Sequence, residues 1–230
     1  MEFSAYGSRM TTHPTSSDET GPIPAPCPEV FESLPPHGVV ERFRNALAAI
    51  DPRVLEMPDE QADRWFAPEE NLGRWSCRAL LTHLMDADIL YAMRLRRTIA
   101  EDNPVFENWD EEAFLSSRLC TPGDRSLLMP VGALVATIHT LRQTLGTVLV
   151  QLDDADWSRR AMNPHLGEVT LIEMLRHVCW HFEHHAAYLN AKVERLLGPA
   201  SEGASGWGGC GEGCTCAGDS KDASGAGAIA

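Results

Sequence analysis

Positive charge is scarce in this sequence. Lysine and arginine together number 19 against 33 aspartates and glutamates, a formal net charge of −14 over 230 residues. Such an excess repels a phosphate backbone and argues against broad nucleic-acid binding. Arg94, Arg96 and Arg97 make a local basic patch, but Glu101 and Asp102 follow it at once; one of these arginines could meet an anionic substrate, although a solvated helix face is the plainer reading, and no nucleic-acid partner is expected. Long apolar runs are missing as well. None approaches the roughly 20 residues of a membrane span, so no membrane partner is expected. The N-terminus carries no basic, leucine-rich leader, which points to a cytoplasmic protein. There is no internal repeat and no convincing strand pattern. Seven cysteines are an odd number, and Cys27, Cys77, Cys120 and Cys179 are scattered. That is not the disulfide framework of a small secreted domain.

What the chain does have is apolar residues at helical spacing. Hydrophobic residues make up 43% of it, enough for one domain with a full core. Val39, Val40, Phe43, Leu47 and Ile50 predict a first helix over 38–50, stopped by Asp51-Pro52. A short helix is expected from Pro58 to Trp65. Ser76 is a good N-cap for a long helix from Cys77 to about Ala100, with Leu80, Leu84, Ala87 and Leu95 on its apolar face. A connection over 104–126 follows, holding a short helix at Glu111–Arg118 that Asp110 can cap. The stripe from Leu128 through Leu149 predicts a third long helix over 127–152, and Asp153 to Pro164 reads as a turn region. Thr170 and Glu173 have capping-box spacing for a last long helix reaching Leu197, ended by Gly198-Pro199. The fold class is therefore all-α, a four-helix bundle over 36–199 with its site built from inward-facing side chains.

The two ends differ in composition. Residues 1–35 are rich in Ser, Thr, Pro and Gly and read as a flexible arm. Residues 200–230 are rich in Gly, Ala and Ser and read as a flexible tail. The tail holds Cys210, Cys214 and Cys216, three thiols that could make a second metal or thiol site, although the spacing is not that of a zinc knuckle.

Four of the nine histidines, His177, His181, His184 and His185, fall within one stretch of the last helix. Positions four apart share a helix face, so His177/His181 and His181/His185 are both pairs able to grip one ion. Two ligands hold a metal weakly, and a third must come from elsewhere. His83 lies beside the Leu80–Leu84 stripe of the second helix. From its position alone it reads as a packed core histidine.

Three stretches stand in a fixed order: W-S-x-R-x-x-L-x-H-L from Trp75 to Leu84, E-D-N-P from Glu101 to Pro104, and W-H-x-x-H-H-x-A from Trp180 to Ala187. With the acidic WDEEAF between them, the chain over about 38–197 resembles the DinB-like superfamily, and especially its YfiT-like branch. The resemblance implies a four-helix bundle that binds one divalent metal through three histidines. By motif these are His83, His181 and His185, which leaves His177 one turn below as a supporting or packing residue. It implies a metal-dependent hydrolase or a thiol S-transferase, using a low-molecular-weight thiol such as bacillithiol, mycothiol or glutathione.

Three imidazoles suit Zn, Ni, Fe or Mn, and three protein ligands leave positions open for water, thiol or small-molecule substrate. Asp86 and Glu183 are the carboxylates nearest the ligands in sequence and are candidates for handling protons. The alternative is a non-catalytic metal-handling or stress-response protein that uses the bundle site together with the cysteine tail. A homodimer is compatible with such a bundle.

Overall fold

The computed structural model describes residues 23–124 and 126–200, and the cysteine cluster of the tail lies outside them. Four helices form the body: α1 (Pro36–Arg44), α2 (Cys77–Ala100), α3 (Val131–Leu149) and α4 (Leu171–Leu197). Their starts follow local chemistry. Ser76 accepts a hydrogen bond from the Ala79 amide at 3.1 Å and caps α2. Thr170 and Glu173 form the expected capping box at the head of α4, with the Glu173 carboxylate accepting from the Thr170 amide at 2.7 Å. At the other end, Gly198 takes a positive φ of 80° and donates its amide to the Glu194 carbonyl.

α2 packs against α3 and α4, and α1 packs against the same two helices, so α1 and α2 sit diagonally. The core lies in two clusters. One joins Leu80, Leu81 and Leu84 of α2 to Leu134 and Ile138 of α3 and to Leu189 and Val193 of α4. The other joins Tyr91 and Leu95 to Leu145 and Leu149, to Val39 and Val40, and to Met174 and Leu175. α2 and α3 therefore run in the same direction, while α1 and α4 run the opposite way. Parallel neighbours need a long crossover. Residues 101–130 supply it and pass along the bundle between α2 and α3.

Several expectations are corrected. The first helix stops at Arg44 and continues only as a tighter turn, Ala46–Ala49. Side chains take up the carbonyls: Gln143 donates to Arg44 and Asn190 to Ala49. α3 begins at Val131, not residue 127, because Pro130 holds the residue before it away from helical backbone. The two short helices expected from the sequence are Asp59–Ala62 and Glu111–Leu115, each shorter than its sequence suggests, and two more stand at Glu29–Glu32 and Asp154–Trp157.

The turn region holds two strands, β1 (Arg160–Asn163) and β2 (Gly167–Thr170), paired antiparallel. Phe106 donates to the Met162 carbonyl and Met162 to Pro104, which pins the crossover to this hairpin. Residues 23–35, expected as part of an arm, lie against α4. Phe31 is fully buried, Trp180 donates its indole N–H to Pro26, and Arg176 donates to Leu34. Among the described residues no helix is long and apolar enough to cross a membrane.

Candidate metal centre

α2 and α4 cross in opposite directions, which brings His83 against His181 and His185. His181 and His185 stack along one face of α4, as their spacing requires. The Nε2 atoms of His83 and His181 are 3.1 Å apart, and one ligand nitrogen from each of the three rings lies within 4.8 Å of the other two. Burial pushes the His83 pKa down to about 4. It also holds His181 and His185 well below the ordinary value, and the neighbouring imidazoles add to that effect. Each ring is therefore neutral at physiological pH and keeps a lone pair, the form that binds metal. No carboxylate joins the cluster among the described residues. Three neutral nitrogen donors converging in this way are a donor set that fits one divalent ion.

Tryptophans hold the rings in place. Trp109 stacks on His83 at 5.6 Å between centroids, and Trp75 packs on both His83 and His185 at 5.2 and 6.0 Å. Trp75 comes from the segment leading into α2 and Trp109 from the crossover. A buried lysine stands near His185. Lys192 is 1% exposed, donates to the Leu72 carbonyl, lies over the Phe66 and Tyr188 rings, and further disfavours a charged His185.

The three histidines open onto a cavity of about 400 Å³. α2 gives it Ala87, Leu90, Tyr91 and Arg94, and α4 gives it His177 and Trp180. The crossover closes it from Asn108 to Glu112, and His165 at the hairpin turn reaches Asn108. A cavity of this size, with aromatic walls and convergent polar groups, takes a small molecule.

A family model described as the DinB superfamily matches residues 42–189. The chain belongs to the DinB superfamily. Its relatives include a provisionally named metal-dependent hydrolase of Oceanobacillus iheyensis, 25% identical, with 62% of this chain and 76% of that one aligned. Another such protein, from Bacillus mycoides, is 25% identical over 68% of this chain and 83% of its own. A third, from Bacillus licheniformis, is 28% identical over 61% and 75%. Among solved structures, YfiT from Bacillus subtilis superposes with a TM-score of 0.61 over 72% of this chain and 91% of its own, at 22% identity. YfiT has what is described as an unusual four-helix bundle topology, and the YfiT-like bundle is the fold seen here.

Within this DinB-superfamily protein the expected site residues separate. His83, His181 and His185 come together, and His177 lies one turn away, its ring 6.2 Å from His181 and 5.7 Å from Tyr91. Neither carboxylate candidate lines the cavity. Glu183 turns toward α1, where Arg42 Nη2 donates to it at 2.6 Å. Asp86 faces Cys120, whose thiol burial and the Asp86 charge push up to about 11. Burial raises the Asp86 pKa to about 6. The carboxylates that do line the cavity are Asp110, Glu111 and Glu112. Asp110 caps the Glu111–Leu115 turn through the Ala113 amide, Glu112 pairs with Arg74, and the Glu111 charge acts on the Tyr91 hydroxyl. The acidic WDEEAF stretch was the available signal for them.

Proposed function

We propose that this protein is a metal-dependent enzyme in which His83, His181 and His185 would hold one divalent ion beside the cavity they line. The observation carrying this reading is the convergence of three neutral imidazoles, two buried and one half-buried, in the lining of a substrate-sized cavity. The names of the relatives favour hydrolysis. A thiol S-transferase uses the same arrangement with a low-molecular-weight thiol in place of water. When bound, the ion supplies Lewis acidity that brings the pKa of a water or thiol toward neutral.

The chain's own residues do the rest. Trp75 and Trp109 fix the imidazole planes and keep bulk water off them. Tyr91 remains a hydroxyl donor across neutral pH, because burial and the Glu111 charge raise its pKa. Glu111 is the cavity carboxylate placed to take up and return a proton.

Metal analysis tests the assignment. Purified wild-type protein should carry one equivalent of Zn, Ni, Fe or Mn. His83→Ala and His181→Ala should each lose stoichiometric metal while helical circular dichroism stays within a few per cent. Full occupancy in both variants would overturn the ligand set. Ester hydrolysis and thiol transfer to an electrophile, each assayed with and without chelator, then distinguish the two chemistries.

A further inference from the structure

Arg94 is the cavity residue whose charge the fold leaves unmatched. It sits three turns past His83 on the same face of α2 and lines the same cavity, about 16 Å farther along the helix axis. It is 7% exposed. Its guanidinium lies 5.3 and 5.4 Å from the ring centroids of Tyr91 and Phe106, and Nη2 donates to the Glu107 carbonyl at 2.8 Å. Among the described residues no carboxylate forms an ion pair with it.

Three other buried or half-buried arginines behave differently. Arg142 pairs with Asp88, Arg78 with Asp59 and Asp63, and Arg42 with Glu183. Leaving a buried guanidinium without an opposite charge is as unfavourable as breaking a buried ion pair. The nearby acids do not meet that need. Asp110 is used as a cap, Glu112 pairs with Arg74, Glu107 offers Arg94 only its backbone carbonyl, and the Glu111 charge acts on Tyr91. Burial accordingly lowers the Arg94 pKa, with Tyr91 the sole group working against that.

We propose that Arg94 is the anion anchor of this cavity, and that the substrate is an elongated small molecule with an oxyanion at one end and its reacting group at the other. The oxyanion, a carboxylate or a phosphate monoester, takes the guanidinium fork at Arg94 while the reacting group reaches the three histidines. The proposal rests on the metal-centre reading for what happens at the far end, but the anchor itself needs no metal.

Calorimetric titration of the metal-loaded full-length protein tests it with three probes of matched length: octanoate, octyl phosphate and octanamide. Octanoate or octyl phosphate should bind saturably and at least tenfold more tightly than octanamide, and which of the two binds tighter identifies the oxyanion. In Arg94→Gln the preferred anion should lose at least tenfold in affinity, with metal content still one equivalent. Arg94→Lys should recover part of the loss, since it keeps charge but not the fork.

Acid and amide binding equally well to wild type would overturn the anchor without any variant having to fold. So would absence of saturable anion binding, or undiminished binding in a folded Arg94→Gln protein. Arg94-dependent anion binding that persists in His181→Ala supports the anchor even where the metal reading fails. Metal retained beside anion binding that ignores Arg94 sinks the anchor alone.

Discussion

Two buried polar clusters are built from α2. Asp88 receives two hydrogen bonds from Arg142 of α3, at 2.6 and 2.7 Å, and both side chains are almost fully enclosed. The Arg142 guanidinium also lies 4.7 and 4.1 Å from the Phe43 and Phe182 ring centroids and donates to the Phe43 carbonyl. Opposite charges meet with matched geometry, and the cluster is closed on itself. His83, five residues earlier, meets two more bases of its own kind and no acid. That cluster opens onto a cavity. A closed ionic pair fastens helices. Converging like bases with an open side gain nothing from one another and are suited to a guest that all of them can bind.

The largest expected effect comes from breaking the closed cluster. Arg142→Met leaves the Asp88 carboxylate buried without its partner, and should cost about 3–5 kcal/mol of unfolding free energy in urea. Replacing both, as Asp88→Leu with Arg142→Met, should recover most of that loss, because an apolar pair of similar volume removes the desolvation cost of both charges. Metal content should stay at one equivalent in the double variant. A double variant as unstable as the single one would show that the pair does more than balance itself.

The open cluster should respond to pH instead. In metal-stripped protein His83 titrates near 4, against 6.5 when unfolded. Between those values the unfolded chain binds more protons, so stability is fully present above pH 6.5 and falls as pH drops toward 4. His83 alone contributes on the order of 3 kcal/mol to that slope. Urea midpoints of stripped wild type should therefore decline from pH 7 to pH 4.5 more steeply than those of stripped His83→Leu. Parallel curves would mean that His83 carries a proton in the folded state.

The two clusters also differ in how far the sequence discloses them. His181 and His185 are visible from spacing within one helix. His83 is not, because one histidine beside a leucine stripe looks like any packed core residue; the motif around it singles it out. Arg94 is disguised by Arg96 and Arg97, which make its stretch of the helix an apparently solvated patch, yet of the three only Arg94 lines the cavity with His83, Ala87 and Leu90. Glu183 fails for the complementary reason. It is two residues from His181, and a helix turns that far to the opposite side. The crossover and hairpin have no periodicity to read. Their place is set by contacts such as Val105 with Met162, between residues far apart in the chain.

The smallest expected effects fall on the two carboxylates that lie nearest the ligands in sequence but outside the cavity. Glu183→Gln weakens a pair whose Arg42 is about one-third exposed, so about 0.5–1 kcal/mol is expected, with metal content and turnover unchanged. Asp86→Asn has a distinct signature. Burial holds the folded Asp86 near pKa 6, above its unfolded value of 3.8, so any stability it contributes is present at low pH and lost as pH rises through 6. The asparagine variant should match wild type in Tm near pH 4 and exceed it slightly at pH 8. A fall in metal content or turnover in Asp86→Asn would instead bring Asp86 into the working site, and would require the face of α2 that carries Thr82 and meets Cys120 of the crossover to communicate with the cavity on the other side.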